Sequence, residues 1–157
     1  MKLVLLVTAL VIALDQITKQ FITRTMQIRD SIPIIDNFLY ITYHRNSGAA
    51  FGILQGQMLF FYVITAVAVF GIGFWLSKLD MKKERPLSIA LALILGGALG
   101  NFIDRVVYQS VIDFIHTVWW GYHFPIFNLA DIALVCGGIL MLFLEFRQSK
   151  DLYFKKD

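Results

Sequence analysis

The sequence predicts a mainly α-helical membrane protein: four transmembrane helices, a small β-sheet outside the bilayer, and both termini in the cytoplasm. Three observations carry this. The 157 residues are 58% hydrophobic and only 16% charged, with a mean hydropathy of +0.69, whereas soluble domains carry about 25% charged residues. Four apolar stretches of 17 to 19 residues recur along the chain, and at ~1.5 Å per residue each approaches the ~30 Å hydrocarbon core. The cations are also distributed unevenly between the segments that join those stretches. A water-soluble core of this length has no room for so much apolar surface, so the bilayer is the expected solvent.

The first stretch runs from Leu3 to about Phe21, and the second from Met58 to Leu76 without a charge. The third covers Leu87 to Ile103, also uncharged, and the fourth Ile126 to Leu144 with Asp131 as its only charge. Helices are the expected form, because backbone groups in lipid must be satisfied within their own segment. Met1-Lys2 followed by an apolar run resembles a cleavable leader. No small-x-small site follows, only Asp15-Gln16-Ile17-Thr18-Lys19, so the first stretch is read as a span.

With both termini in the cytoplasm, that side holds Lys2, Lys78, Lys82, Lys83, Arg85, Arg147, Lys150, Lys155 and Lys156, against Arg24, Arg29, Arg45 and Arg105 outside. The excess follows the positive-inside rule. The segments 24–57 and 104–125 then face outward. The net charge of +3 reports this topology. No basic patch interleaved with aromatics points to nucleic acid. Without a repeat, linker or low-complexity tract, residues 1–157 are expected to form a single integral membrane domain. The single cysteine, Cys136, has no intrachain partner and is expected to pack as a small hydrophobe.

In the first outer segment, Phe38 to Tyr43 is aromatic or β-branched and predicts a strand. Pro33 and Asp36-Asn37 mark turns before it, and Asn46-Ser47-Gly48 one after. A small sheet on the membrane surface suits this piece. In the second, Val111-Ile112-Asp113-Phe114-Ile115 predicts a short strand with Asp113 directed away from Ile112 and Phe114.

The polar residues near the spans need reasons, because a carboxylate at mid-bilayer costs ~2.5–3.5 kcal/mol on insertion scales. Asp15 and Lys19, four apart with the acid first, read as a helical ion pair that either is structural or sets the electrostatics of a site or a lipid headgroup. Gly96 and Gly100 form a small-xxx-small face for close helix approach. Asn101 and Asp104 share a face of span three, with Gly97 one turn earlier. Asp104-Arg105 alone reads as a solvated interfacial pair. Asn128 reads as the N-cap of span four, with Asp131 at N3 near the positive end of the helix dipole. That position also serves chemistry. Asp113 and Asp131, on either side of an aromatic-rich loop, are candidates to share one proton as an acid–base pair. His44, His116 and His123 lack metal-ligand spacing, and no Gly-x-Ser-x-Gly elbow is present.

Asn46-Ser47-Gly48-Ala49-Ala50-Phe51-Gly52, Gly96-Gly97-Ala98-Leu99-Gly100-Asn101 with Asp104-Arg105, Val111-Ile112-Asp113-Phe114 and Phe124-Pro125-Ile126-Phe127-Asn128-Leu129-Ala130-Asp131, in this order, closely resemble lipoprotein signal peptidase, also called signal peptidase II. Asp15-Gln16 with Lys19 is similar to that family's first-span motif. The resemblance implies a four-helix aspartyl protease of the bacterial plasma membrane, without a cofactor. Such a protease removes the signal peptide from prolipoproteins whose lipobox cysteine carries a diacylglyceryl group. It puts the catalytic pair on Asp113 and Asp131, and lining residues on Asp15, Lys19, Asn46, Asn101, Asp104, Arg105 and Asn128. It further implies a surface cradle of strands, a short outer helix acting as a lid, contact with membrane lipids, and inhibition by globomycin-like cyclic peptides. Two other classes compete. A proton- or ion-coupled transporter predicts an inverted repeat or broken helices, and neither is present. A non-catalytic scaffold assembling through Gly96 and Gly100 predicts that both aspartates are dispensable. The Gly-x-Gly-Asp signature of presenilin-like proteases is absent.

Overall fold

A computed structural model describes residues 1–49 and 53–153. The chain runs α1 (Lys2–Thr25), β1 (Ser31–Ile35), β2 (Leu39–Asn46), α2 (Met58–Lys78), α3 (Arg85–Tyr108), β3 (Val111–Trp119), β4 (Tyr122–His123) and α4 (Leu129–Tyr153). All four helices are long and apolar enough to cross a membrane. They coincide with the four predicted spans, with shifted ends.

α3 is the central helix, packed against α4, α1 and α2. Its glycines make this possible. A Cβ on Gly96 would lie 2.7 Å from Val11 Cβ of α1, and one on Gly97 would collide with the Ala130 carbonyl oxygen of α4. A Cβ on Gly100 would meet Asp15 Oδ2 at 2.7 Å and Ala130 Cβ at 3.2 Å. The small-residue stripe expected at 96 and 100 therefore receives α1, and Gly97 receives α4. Without a hydrophobic force between helices in lipid, such close backbone approach supplies the packing.

The four strands form one antiparallel sheet in the order β1-β2-β3-β4. β2 pairs with β3 through His44–Asp113 and Asn46–Val111. Ile22 of α1, Tyr43 of β2, and Ile112 and Phe114 of β3 form the buried cluster that seats the sheet on the helices. Both strands are longer than the pattern suggested, and β1 was not expected, because Pro33 read as a turn. Pro33 is tolerated because β1 is an edge strand, paired with β2 alone. The Asp36-Asn37 turn forms as expected, with Asn37 at φ 60°.

α4 starts at Leu129, directly after Asn128, as the N-cap reading expects, and the preceding Phe127 forms a β-bridge to Ile115. Two expectations need correction. Asp104 is not a solvated interfacial residue: α3 continues past it to Tyr108, and its charge is compensated by the buried Lys19. Cys136 is exposed on α4 rather than packed. The described residues between β2 and α2 form turns, and no short outer helix is among the described elements. Ala50, Phe51 and Gly52 of the Asn46–Gly52 motif lie outside the described residues.

Candidate active site

Where the sheet meets the C-terminal end of α3 and the N-terminal end of α4, five of the candidate residues singled out in the sequence line one cavity of about 930 Å³. Asp113 enters from β3, Asn46 from β2, Asn101 and Arg105 from α3, and Asp131 from α4. Below them the wall is apolar, formed by Ile132, Val135 and Cys136 of α4.

Asn128 joins the two aspartates. Its Nδ2 donates to Asp113 Oδ1 at 2.8 Å, to Asn101 Oδ1 at 3.0 Å and to the Ile112 carbonyl at 3.4 Å. Its Oδ1 accepts from the Asp131 backbone N–H at 3.0 Å, and its own backbone N–H donates to Asp131 Oδ2 at 3.1 Å. This reciprocal pair is a capping box that closes the first turn of α4. One buried amide thus caps the helix and links it to the strand of Asp113. Asp131 Oδ1 also accepts from Asn101 Nδ2 at 2.8 Å, and Asp113 Oδ2 from Asn46 Nδ2 at 3.1 Å. Asn46 is itself fixed, since its Oδ1 accepts from the Gly48 N–H at 2.9 Å. Asp113 is only 2% exposed. Burial first, and then the charge of Asp131, push its carboxyl from 3.8 up to about 7, against the pull of the Asn46 and Asn128 amides. A carboxyl at that value gives and takes protons readily near neutrality.

A second buried network lies beneath. Lys19 is fully buried and bridges Asp15 at 2.8 Å and Asp104 at 2.9 Å. Its third donor reaches Asn101 Oδ1 at 3.0 Å. Asp15 Oδ1 accepts from the Ala130 N–H at 3.0 Å, and Asp104 Oδ2 from the Ile112 N–H at 3.0 Å. Each carboxylate therefore pins a backbone N–H next to one site aspartate: Ala130 precedes Asp131, and Ile112 precedes Asp113. Asp15 and Lys19 form the expected pair, but with both side chains enclosed it cannot hold a lipid headgroup. Asp104 and Arg105 are not paired with each other. Arg105 instead lies over the Phe61 ring at 4.2 Å and donates to the Gly48 carbonyl at 3.3 Å. Its Nε is buried with no hydrogen-bond partner among the described residues.

Sequence reasoning missed Gln16, which donates to Asp104 Oδ1 at 2.9 Å and to the Gly100 carbonyl at 3.2 Å. The available signal was its place beside Asp15, within the polar run Asp15-Gln16-Ile17-Thr18-Lys19-Gln20 of an otherwise apolar span. Tyr62 was also missed. Its hydroxyl donates to the Arg105 carbonyl at 3.0 Å and ties α2 to the C-terminal end of α3. Among the described residues, no three His, Cys, Asp or Glu side chains gather as a metal ion would require.

Known proteins share this arrangement. A model of the Signal peptidase (SPase) II family matches residues 7–147. The chain is 56% identical over 140 residues to a lipoprotein signal peptidase of Bacillus pumilus, covering 89% of each. It is 51% identical over 140 residues to that of Bacillus subtilis, covering 89% of this chain and 90% of the relative. A bacterial membrane enzyme solved by the in meso method at 2.3 Å superposes with a TM-score of 0.90 at 42% identity, over 96% of this chain and 92% of that one. A second such structure, at 1.9 Å, gives a TM-score of 0.83 at 44% identity over 92% of each chain. On these matches the chain belongs to the signal peptidase II family of membrane proteases.

Proposed function

We propose that this chain is an aspartyl endopeptidase that cleaves prolipoproteins just before a diacylglyceryl-modified cysteine, with Asp113 and Asp131 as its catalytic pair. The observation that carries this reading is that both carboxylates line one cavity with an apolar wall and are linked through the buried Asn128. Relatives that share more than half their residues with this chain are named lipoprotein signal peptidases, and a transporter finds no support among them.

In the mechanism we infer, Asp113 holds the shared proton and Asp131 is the ionised base. Asp113 is the more enclosed of the two, and its raised value favours the neutral form. Asp131 lines the cavity at the N-terminus of α4, where it accepts from the Asn101 amide and the Asn128 backbone N–H. A water between them loses a proton to Asp131 as its oxygen attacks the scissile carbonyl. The Asp113 carboxyl donates to the carbonyl oxygen while charge develops there. The proton on Asp131 then passes to the leaving nitrogen as the C–N bond breaks. Products are a signal peptide ending in a carboxyl and an amine on the lipidated cysteine. Positioned acid–base catalysis of this kind contributes about 10²–10⁴-fold. Arg105 and Asn46, which line the cavity, are the side chains placed to hold substrate backbone carbonyls.

The apolar wall of α4 suits acyl chains, and the site's place at the ends of α3 and α4 suits a cysteine anchored near the headgroups. The cation distribution supports cytoplasmic termini, with the sheet and site on the outer face of a bacterial plasma membrane. One integral domain then does all the work. A lipobox-mimicking cyclic peptide of the globomycin type would occupy the same cavity. The test is incubation of the purified protein with a diacylglyceryl-modified and an unmodified lipobox peptide. Cleavage of the lipidated peptide alone is expected, and equal cleavage of both would refute the substrate class.

A further inference from the structure

Trp120 and Gly121 form a two-residue loop between the paired residues Trp119 and Tyr122. Both central residues have positive φ, 48° and 82°, the backbone of the tight hairpin turn in which Asn-Gly is favoured. A left-handed conformation costs an L-residue roughly 1–2 kcal/mol, and a tryptophan does nothing to relieve it. Nor does the ring repay the cost by packing, because Trp120 is 98% exposed, with the tilted ring of Trp119 beside it at 6.2 Å between centroids. A residue that breaks the local rule without a gain in the folded chain points outside that chain.

The second hairpin lies beside it. Val118 N–H donates to the Phe38 carbonyl at 2.8 Å, and the Phe38 and Trp119 rings meet edge to face at 5.1 Å. The two turns thus share one end of the sheet, with Ile34, Ile35, Phe38 and Trp119 all exposed around Trp120. Charge is nearly absent: Asp36 is the sole ionised residue between Ser31 and Tyr43, and none lies between Phe114 and Ala130. At the tip, a shallow groove is lined by Thr117, Trp119, Tyr122, Phe124 and Phe127. Its Tyr122, Phe124 and Phe127 also line the active-site cavity, together with Ile132 and Val135 of the spanning helix α4. The tip is therefore continuous with an apolar wall carried on a spanning helix. Its Trp and Tyr content is what the interfacial zone of a bilayer accepts, where an amphipathic ring keeps its N–H or O–H wet.

We propose that the two adjacent hairpin tips, led by Trp120, insert into the headgroup zone of the outer leaflet and fix the height of the sheet above the lipid. β3 carries Asp113 six residues from Trp119, so this anchor also sets where one site carboxylate stands relative to a membrane-held substrate.

The test uses the full chain reconstituted at one copy per nanodisc. With Trp75→Phe and Trp119→Phe, Trp120 is the sole tryptophan of the three. Its emission is expected to be blue-shifted. Phospholipids brominated high on the acyl chain should quench it by roughly half, and deeply brominated ones less, as for a ring at the interface. A second protein, Trp75→Phe with Trp120→Asn, reports from Trp119 in an easier turn. There the bromolipid quenching is expected to fall about twofold relative to Trp75→Phe alone, as the leading ring is lost. Water-like emission, quenched by iodide and indifferent to bromolipid, would overturn the proposal. So would a blue shift that appears only with two copies per disc, or only on adding a lipobox peptide, since these assign the tip to self-association or to substrate.

Discussion

Lys19→Met is the most informative single perturbation of the scaffold. Lys19 is wholly enclosed and serves three acceptors, Asp15, Asp104 and Asn101, at 2.8, 2.9 and 3.0 Å. Methionine keeps much of the volume but leaves two buried carboxylates without their shared cation. Breaking a buried ion pair on one side costs ~3–5 kcal/mol, because the remaining charge is uncompensated. At ~2–4 °C per kcal/mol for a chain of this size, the apparent Tm falls by about 6–20 °C. The function suffers separately. Asn101 Oδ1 accepts from Lys19 and Asn128, which turns its Nδ2 toward Asp131. Without the ammonium group only Asn128 holds that oxygen, so the amide is less firmly placed, and a misplaced site group costs up to about 10²-fold in rate. The assays are thermal denaturation of the purified protein in lipid, and turnover of a lipidated peptide well below the Tm. Adding Asp104→Asn removes one stranded charge, so the double variant should recover more than ~1 kcal/mol of the loss. A Lys19→Met protein with unchanged Tm and turnover, or a double variant whose losses simply add, would refute the reasoning.

Gly97→Ala puts a methyl group against the Ala130 carbonyl and 2.8 Å from Leu134 Cγ. It should displace the α4 terminus that carries Asp131, costing ~1–3 kcal/mol and most of the turnover, whereas Gly138→Ala, with nothing nearby, should leave both intact. Asp113, raised from 3.8 to about 7, gives two pH effects. If its neutral form is the active one, kcat/KM declines as pH rises through about 7. Its contribution to stability has the same sign, because folding favours the protonated form. Stability present below the unfolded value is lost progressively as pH rises to about 7 and is constant beyond. A kcat/KM profile rising through that range would contradict the assignment. Trp120→Asn eases the turn and should raise the Tm in detergent by a few tenths to ~1 kcal/mol equivalent, while weakening quenching by bromolipid. A lower Tm would show that the ring packs after all.

The spans were legible because length and charge content alone distinguish bilayer helices from everything else a 157-residue chain can form. Their ends were not. Asp104-Arg105 reads as the edge of the membrane to any rule that counts local charges, yet Asp104 lies inside the fold because Lys19, 85 positions earlier, neutralises it. Ile126-Phe127 reads as part of the fourth apolar stretch, yet Phe127 bridges to Ile115 of β3, a tertiary contact with no local signature. Pro33 hid β1, since proline is compatible with a strand only at an edge and edges are set by topology. At the site, the capping box of Asn128 and Asp131 followed from spacing, because a cap is local. That the same amide also reaches Asp113 depends on how β3 folds back over α4 and was carried only by the family resemblance. Gln16 was named in the first-span motif but given no role, because its bond to Asp104 runs between two helices and has no local signature.

The central claim is that Asp113 and Asp131 act as one unit. Its most direct measurement is turnover of a diacylglyceryl-modified lipobox peptide by Asp113→Asn and Asp131→Asn, each reconstituted in lipid and shown by circular dichroism to hold the parent helix content. The account predicts that each single variant loses at least ~10³-fold and that the double variant is scarcely worse than either, as for groups that work together. A folded single variant retaining near-normal turnover, or losses that multiply in the double variant, would contradict it.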